Sequence, residues 1–164
     1  MSNKNFRIEK DSLGEVRISK KALWGPQTQR ALKNFPVSGI TFNFPFGSSY
    51  IKSLGIIKGA AARANSNLNL LDKRRAKAIV SASIEIQDGK HNDQFPVDIF
   101  QTGSGTSTNM NANEVISNIA SRTSGLDVSP NDHVNMSQSS NDVIPTGINI
   151  SAYHDLTYHL LPAI

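Results

Sequence analysis

The sequence predicts a mainly α-helical domain with a short β-hairpin near its start. Two observations support this fold class. Apolar residues recur at steps of three and four through several long stretches of the 164-residue chain, which is the period of an amphipathic helix. Strict alternation of apolar and polar residues is found over residues 6–18, the length of one hairpin.

The first third of the chain predicts the hairpin, a short helix and a connector. The hairpin spans residues 6–18 and turns at Asp11–Gly14. Its alternating apolar residues are Phe6, Ile8, Val16 and Ile18. A helix is predicted over 22–34 with Pro26 in its first turn, where proline is tolerated. Residues 35–48 contain two prolines and two glycines, which indicates an irregular connector.

Two long amphipathic helices follow. The first is predicted over roughly 49–71 and the second from Asp72, a favoured N-cap, to about Gln87. The loop from there to about Thr106 is long, and such loops are often functional or disordered. The first apolar stripe consists of Ile51, Leu54, Ile57, Ala61, Ala64, Leu68 and Leu71. The second consists of Ala76, Ile79, Val80, Ser83 and Ile86.

Two further helices are predicted in the last third. One covers 107–122, with Val115, Ile116 and Ile119 on its apolar side, and a loop covers 123–138. The other starts near Asn141 or Asp142, with Pro145 in its first turn. Its apolar ridge consists of Ile144, Ile148, Ala152, Leu156 and Leu160. Because the ridge continues to the end of the chain, it requires a partner, and we expect the isolated chain to associate or aggregate.

The charge balance argues weakly for a nucleic-acid partner. Seventeen basic and 13 acidic residues give a net charge of +4 and a pI near 9.5. The basic residues lie mainly at Lys20-Lys21 and Lys73–Lys77, and few aromatic residues accompany them to stack on bases. A solvated helix face is the better interpretation. We therefore expect no nucleic acid, although a non-enzymatic helical binding module using this basic face is an alternative.

Several classes of site and location are disfavoured. The absence of cysteine excludes a disulfide scaffold, a thiolate nucleophile and a cysteine-ligated metal. The first residues contain no signal-peptide core, and no apolar run approaches the roughly 20 residues of a membrane span. We expect a cytoplasmic protein without membrane contact. The four histidines show no metal-binding spacing, and His154 and His159 are not expected to share a helix face, so no metal is predicted.

Two polar stretches carry the predicted chemistry, residues 101–114 and 129–142. Charged residues make up only 18% of the chain, so serine, threonine, asparagine and glutamine supply polarity suited to burial or ligand binding. Each stretch leads into a predicted helix, whose N-terminus offers unpaired N–H groups and partial positive charge. Hydroxyls and amides added to such an end form an anion site without lysine or arginine. If the two converge, they suit a small dicarboxylate and a reaction that builds charge on a carboxylate.

Helix caps and turns are the simpler explanation for any single residue in these stretches. Nine such polar residues within 101–113 exceed what capping requires. Gly103-x-Gly105 lacks the third glycine of the dinucleotide fingerprint, and no GK[ST] follows. The chain has no GxSxG elbow for a nucleophilic serine. Glu114 lies early in a predicted helix, where a structural role is a fair expectation.

The same residues resemble a known family. GSGTSTNMNANEVISN is similar to the signature GSGT-x-x-NMN-x-NEV of class II fumarate hydratases, and SPNDHVNMSQSSNDVIPT is similar to their HPND-x-VN-x-x-QSSND-x-x-PT. ALWGPQTQRAL and FPVDIFQTGSGT also resemble this family, and the likeness runs from about Phe6 to the last residue. Related aspartases carry GAGT and QSTND, so Ser104 and Ser140 favour a fumarase.

The resemblance implies the N-terminal domain of the fumarase/aspartase-like fold over residues 1–140, and the first part of a long central-bundle helix over 141–164. It implies reversible hydration of fumarate to L-malate, in the tricarboxylic acid cycle, by a homotetramer without metal or organic cofactor. The residues that carry over as substrate-binding are Ser104, Gly105, Thr106, Ser139, Ser140 and Asn141. An aspartase or another dicarboxylate lyase is the alternative within enzymes.

The chain departs from the family pattern in two respects. The family's second dicarboxylate site begins with histidine, whereas here the stretch is Ser129, Pro130, Asn131 and Asp132, which calls that site into question. Family members are also well over twice as long. Their proton-relay histidine and loop serine would lie beyond Ile164, and each active site draws on three subunits. The chain is therefore expected to be an inactive fragment, with no catalytic residue assigned within it.

Overall fold

The fold is mainly helical with an N-terminal β-hairpin, as predicted. The computed structural model describes residues 5–42, 44 and 47–164. Strands β1 (Phe6–Asp11) and β2 (Gly14–Ser19) form a two-stranded antiparallel sheet. The helices are α1 (Pro26–Asn34), α2 (Gly47–Asn67), α3 (Lys73–Gln87), α4 (Thr106–Ser124) and α5 (Ser140–Asp155). Short 3₁₀ turns occur at Asn92–Gln94 and Leu161–Ala163, and π-helical turns at Pro130–Val134 and Leu156–Leu160.

The hairpin has one buried and one exposed face. Arg7 pairs with Ile18 and Ile8 with Arg17, so the apolar residues of the two strands lie on opposite faces of the sheet. Val16 and Ile18 are buried, whereas Ile8 is 64% exposed. The predicted alternation is therefore correct, but it places only the second strand's apolar residues in a core.

Helix α1 begins at Pro26, four residues later than predicted. The segment before it is held in a non-helical path by the Arg7 guanidinium, which donates to the carbonyl oxygens of Ser19, Ala22 and Trp24 at 2.7 Å each. A half-buried cation that binds three carbonyls competes directly with the hydrogen bonds of a helix. Because Arg7 belongs to β1, the sequence of the segment before α1 contains no sign of this interaction.

Helix α2 ends at Asn67 rather than near Leu71, and its buried face differs from the predicted stripe. Leu68 is 67% exposed, and the chain turns at Asn69 with φ +60°. Beyond Leu54 the buried positions are Gly55, Lys58, Gly59, Ala62 and Asn65. The predicted stripe lies one position away, because it was chosen from apolar residues alone and the buried face includes a lysine and an asparagine.

Helices α3 and α4 match the prediction closely. The apolar residues Ile79, Ile86, Val115 and Ile116 are all at least 99% buried in one core. Val80 packs against that core but is only partly buried. Helices α2 and α3 approach closely at Gly55, where an added Cβ would lie 2.9 Å from the carbonyl oxygen of Ser83. The basic residues Lys73, Arg74 and Lys77 are exposed, as expected of a solvated face.

Helix α5 begins at Ser140, and Pro145 is its sixth residue rather than part of its first turn. Val143 and Gly147 are buried, and an added Cβ at Gly147 would lie 3.1 Å from Ser53 Oγ of α2. The outer ridge is open, since Ile148, Leu156 and Leu160 are 55%, 51% and 48% exposed. Among the described residues, none of the helices has the length and apolar character needed to cross a membrane.

Asp98 anchors the connector that precedes α2. Its carboxylate accepts hydrogen bonds from the backbone N–H groups of Ser38, Gly39 and Phe100 at 2.6, 2.8 and 2.9 Å. Burial raises the pKa of Asp98, but the N–H groups of Ser38, Phe100 and Gly39 outweigh burial and lower the pKa to about 2. The fold therefore favours the ionised carboxylate.

This contact predicts a loss of stability in acid. An unfolded aspartate has a pKa of about 3.9. The stabilisation by Asp98 is complete above that value and is lost as pH falls towards about 2, the folded pKa. Urea unfolding between pH 7 and 2 should show that the free energy of unfolding falls less with decreasing pH in Asp98→Asn than in wild type. The exposed-site control Asp93→Asn should keep the wild-type dependence, and an unchanged dependence in Asp98→Asn would contradict the assignment.

Candidate functional site

Three hydroxyl groups from the two polar stretches meet at the surface. Ser104 Oγ lies 2.9 Å from Thr106 Oγ1, and Thr106 Oγ1 lies 3.1 Å from Ser140 Oγ. Thr106 is the first residue of α4 and Ser140 the first of α5, so the contact joins two helix N-termini that are 34 residues apart in sequence. Ser104 and Thr106 are exposed and Ser140 is half-buried. We refer to these three residues as the hydroxyl cluster.

The loop before α4 is folded tightly against the first turn of that helix. The Gln101 side chain accepts a hydrogen bond from the backbone N–H of Thr108 at 2.9 Å and also donates to the Thr108 hydroxyl. Gly105 then enters the helix in the left-handed region with φ +65°. An added Cβ at Gly105 would lie 3.1 Å from each of three side-chain atoms of Ile144 in α5. Glycine is thus required both for the turn and for the approach of α5.

Gly105→Ala is expected to lower the free energy of unfolding by about 1–3 kcal/mol, because it adds left-handed strain and a clash with Ile144. Gly103→Ala is a matched control from the same loop. An added Cβ at Gly103 meets no atom within 4 Å. Urea unfolding of both variants measures the difference, and equal stability of the two would contradict this account of Gly105.

The remaining predicted residues of the second stretch lie around the start of α5. Ser139 is the N-cap, and its hydroxyl accepts from the backbone N–H of Asn141 at 3.2 Å. Asn141 and Asp142 are exposed. The Asp142 carboxylate lies in the first turn of α5, where it already complements part of the positive end of the helix. A ligand anion would therefore be bound more by the N-terminus of α4 and by the hydroxyl groups than by the N-terminus of α5.

Lys58 of α2 lies beneath these elements and was not singled out from the sequence. The residue is 0% exposed. Its Nζ donates to Asn109 Oδ1 at 2.8 Å and to Asn135 Oδ1 and Gln138 Oε1 at 2.9 Å each. Burial lowers the pKa of Lys58 to about 7. One signal was present in the sequence, since Lys58 stands four residues from both Leu54 and Ala62 on one helix face.

Part of the polar stretch 101–114 is buried in the protein interior. Gln101, Thr108, Asn109, Asn111 and Asn113 are all buried, which confirms that some of the chain's uncharged polarity is meant for burial. Asn111 Nδ2, for example, donates to the carbonyl oxygen of Gln94 at 3.0 Å. Capping alone therefore does not explain this stretch, because many of its amides lie along α4 beyond the first turn.

Glu114 has a structural role, as expected, but it acts on a different helix. Its carboxylate accepts from the backbone N–H groups of Gly25, Gln27 and Thr28 at 2.9, 2.8 and 3.0 Å, and from the Thr28 hydroxyl at 2.6 Å. These are the donors that a helix N-terminus leaves unpaired. Glu114 of α4 therefore caps α1.

The stretch Ser129–Asp132 forms a local turn. Ser129 Oγ accepts from the backbone N–H of Asp132 at 3.1 Å and donates to the Asp132 carboxylate at 2.8 Å. The backbone N–H of Ser129 donates to His133 Nδ1 at 2.8 Å. Pro130 begins the π-helical turn, and Asn131 and Asp132 are exposed. The serine hydroxyl is thus engaged within the turn.

The prediction that His154 and His159 lie on different helix faces is wrong. Their ring centroids are 5.7 Å apart, because α5 passes into the π-helical turn Leu156–Leu160, whose wider winding aligns residues five apart. Asp155 lies between them, and one ligand atom from each residue falls within 4.8 Å of the others. Ser49 also donates to the Asp155 carboxylate at 2.6 Å. Zinc accepts this kind of ligand set, and the expectation that no metal is needed stays a prediction.

Comparison with known proteins identifies similar chains. A family model described as lyase matches residues 14–164. The class II fumarate hydratase of Mycobacterium tuberculosis (strain ATCC 25618 / H37Rv) is 54% identical over 160 residues, which is 98% of this chain and 33% of that protein. The class II fumarate hydratase of Halobacterium salinarum is 51% identical over 167 residues, covering 99% of this chain and 35% of that protein. The chain spans about a third of the length of these curated relatives.

Solved structures are similar over nearly the whole chain. The recombinant class II fumarase from Schistosoma mansoni superposes with a TM-score of 0.89 at 41% identity, covering 96% of this chain and 34% of that chain. The fumarate lyase:delta crystallin from Brucella melitensis, in native form, gives a TM-score of 0.86 at 44% identity, covering 93% of this chain and 36% of that chain.

Proposed function

The chain belongs to the lyase family, and on that basis we propose that the protein to which it contributes hydrates fumarate reversibly to L-malate. Relatives about half identical to this chain bear the name class II fumarate hydratase. This chain would supply one part of the dicarboxylate-binding site. The proposed substrate-binding residues are Ser104, Gly105, Thr106, Ser139, Ser140 and Asn141.

The contact between Thr106 Oγ1 and Ser140 Oγ at 3.1 Å is the observation that carries this proposal. It brings the two polar stretches together at the first residues of α4 and α5. Hydroxyl donors at helix N-termini bind carboxylates without the desolvation cost of burying an opposite charge. Ser139 orients the start of α5, and Gly105 permits α5 to approach.

Neutral donors suit the proposed chemistry. Dehydration of malate removes a proton from the carbon next to a carboxylate and expels hydroxide from the neighbouring carbon, and hydration is the reverse. The carbanion that develops shifts negative charge onto the carboxylate oxygens. Preorganised hydroxyl and N–H dipoles stabilise this charge more in the transition state than in the ground state. No residue of this chain is assigned to the proton transfer, and the proposal includes no metal or organic cofactor.

The hydroxyl cluster is open on its outer side, so other parts of the protein must complete the site. We assign residues 1–140 to an N-terminal domain and 141–164 to the start of a central helical bundle. The exposed ridge of Ile148, Leu156 and Leu160 supports this assignment, because burial of such a ridge would stabilise a bundle. The proposed assembly is a cytoplasmic homotetramer in which other subunits cover the cluster.

The family's second dicarboxylate site is proposed to be impaired. Ser129 stands in place of the family's histidine, and its hydroxyl is already paired with Asp132. The adjacent Asp132 carboxylate is exposed and disfavours an incoming anion. We therefore give Ser129–Asp132 a structural role as the cap of the π-helical turn.

An aspartase or other dicarboxylate lyase is the second candidate. Ser104 favours the hydratase, because its hydroxyl contacts Thr106 Oγ1 at 2.9 Å and the alanine of GAGT offers no such contact. The deciding experiment follows fumarate consumption by the purified whole protein, with and without ammonium and after EDTA treatment. Malate formation that needs neither ammonium nor metal is expected. Aspartate formation would overturn the assignment, and salt-sensitive nucleic-acid binding without turnover would favour a basic-face binding module.

A further inference from the structure

Lys58 is a buried cation that the proposed substrate site does not yet use. Its three hydrogen-bond partners are the side-chain oxygens of Asn109, Asn135 and Gln138. Asn109 lies three residues beyond Thr106 on α4, and Gln138 immediately precedes the N-cap Ser139 of α5. The lysine of α2 therefore ties together the two chain segments that carry the hydroxyl cluster.

The orientation of the three amides is determined by their nitrogen atoms. Asn109 Nδ2 donates to Asn135 Oδ1 at 3.3 Å, and Asn135 Nδ2 donates to the carbonyl oxygen of Gln138 at 3.2 Å. Gln138 Nε2 donates to the carbonyl oxygen of Val134 at 2.9 Å. With each nitrogen engaged, each amide presents its oxygen to Lys58. A side chain without donors at position 58 would leave the oxygens of Asn109 and Gln138 unpaired, and Asn135 Oδ1 would keep only the contact from Asn109 Nδ2. Such losses are costly in a buried site.

The charge of Lys58 is also significant. Burial lowers the pKa of Lys58 to about 7, so the ammonium form is the main one below that pH. Its three contacts are neutral oxygens, so in that form Lys58 carries an uncompensated positive charge beneath the cluster. A buried charge is screened less by solvent than a surface charge. Such a charge favours a dianion at the nearby surface while the groups that touch the ligand remain neutral donors.

We propose that Lys58 is a positioning residue for the dicarboxylate site, which holds the first turn of α4 and the segment 135–139 in one arrangement and adds positive potential behind them. The inference rests on the proposed function for its ligand. Lys58 itself does not touch the substrate. It acts through Asn109 on the Thr106 side and through Gln138 on the Ser140 side.

A purely structural anchor is the competing explanation, and α2 offers a matched residue. Asn65 lies on the same buried face, and its Nδ2 donates to the carbonyl oxygen of Met136 at 2.9 Å. Asn65 thus holds the same loop through an uncharged side chain that donates to a backbone carbonyl. If Lys58 only anchored the loop, Lys58→Met and Asn65→Ala would show the same ratio between the loss of kcat/KM and the loss of stability.

The test compares Lys58→Met, Lys58→Arg, Asn65→Ala and the half-exposed control Lys52→Met in the whole protein. For each we would measure kcat and KM for fumarate, the melting temperature, and hydrogen exchange of residues 104–109 and 135–141. Lys58→Met should lower kcat/KM by about 100-fold, the cost expected for a misplaced site. Lys58→Arg should recover part of this loss. Asn65→Ala should lower the melting temperature with little change in KM, and Lys52→Met should behave as wild type.

Gln138→Met provides a second route if Lys58→Met does not fold, because it removes one contact at the half-buried end of the network. It should raise KM and accelerate exchange in 135–141. Wild-type kcat/KM and wild-type exchange in the folded variants would overturn the proposal, as would parallel losses in Lys58→Met and Asn65→Ala. A wild-type protein that does not hydrate fumarate would refute the proposed function, whereas the exchange data would still test the positioning by Lys58.

Discussion

Thr106→Ala in the whole protein is expected to lower fumarate turnover by about 10²–10³-fold, the loss typical when one preorganised donor to a developing negative charge is removed. Thr106 Oγ1 is the central atom of the hydroxyl cluster, with Ser104 Oγ at 2.9 Å and Ser140 Oγ at 3.1 Å. Removing it takes away one donor and also releases its two neighbours. Steady-state kinetics with fumarate and with malate measure the effect.

Ser140→Ala tests the same cluster from the α5 side and should also reduce turnover by orders of magnitude. Because the two hydroxyls share one contact, the double variant should lose less than the product of the single losses. Thr123→Ala is the control. Its hydroxyl donates to the carbonyl oxygen of Ile119 near the other end of α4. Near wild-type rates in both Thr106→Ala and Ser140→Ala would refute the site assignment.

Glu114→Gln is expected to lower the free energy of unfolding by about 3–5 kcal/mol, since each hydrogen bond to a charged acceptor contributes about 1.5–3 kcal/mol. The side chain lies in the interior and accepts four hydrogen bonds from the start of α1. An amide in its place directs an NH₂ group at backbone N–H donors. The NH₂ group takes the Oε1 position and faces the N–H of Gln27, while Gly25 and Thr28 keep an acceptor that is neutral instead of charged.

Urea unfolding of Glu114→Gln measures this loss, and Glu85→Gln serves as the control. Glu85 lies on α3, its side chain is 30% exposed, and its carboxylate contacts His91 at 2.9 Å. A partly exposed contact of this kind contributes at most about 1 kcal/mol. Equal stability of the two variants would show that the capping of α1 is not a major contribution to the fold.

Local patterns in the sequence predicted the elements whose signals are self-contained. Helix α3 begins after the N-cap Asp72, whose carboxylate accepts from the backbone N–H groups of Arg74 and Arg75, and ends before Asp88-Gly89. The hairpin turn at Asp11–Gly14 and the apolar face of α4 were equally clear. Each of these signals consists of residues close together in the chain, so no distant contact is needed to form it.

Predictions failed where a distant polar side chain determines the local path. Arg7 binds the carbonyls that precede α1 and delays the start of that helix. Lys58 and Asn65 turn the buried face of α2 away from its most apolar positions, because asparagine and glutamine side chains and a backbone carbonyl elsewhere satisfy them. A hydrophobic period does not contain this information, since it treats every lysine and asparagine as a solvent-facing residue.

The sequence by itself determined the mainly helical class, the hairpin, most helix boundaries and the identity of the two polar stretches. Only the tertiary structure decided that Thr106 meets Ser140, that Lys58 lies buried between the stretches, and that Glu114 caps α1. The sequence separation is 34 positions for the contact between Thr106 and Ser140, 51 to 80 for the contacts of Lys58, and 86 to 89 for those of Glu114. The physical reason is that a helix or turn depends on neighbouring residues, whereas a polar contact across the fold depends on how the helices pack.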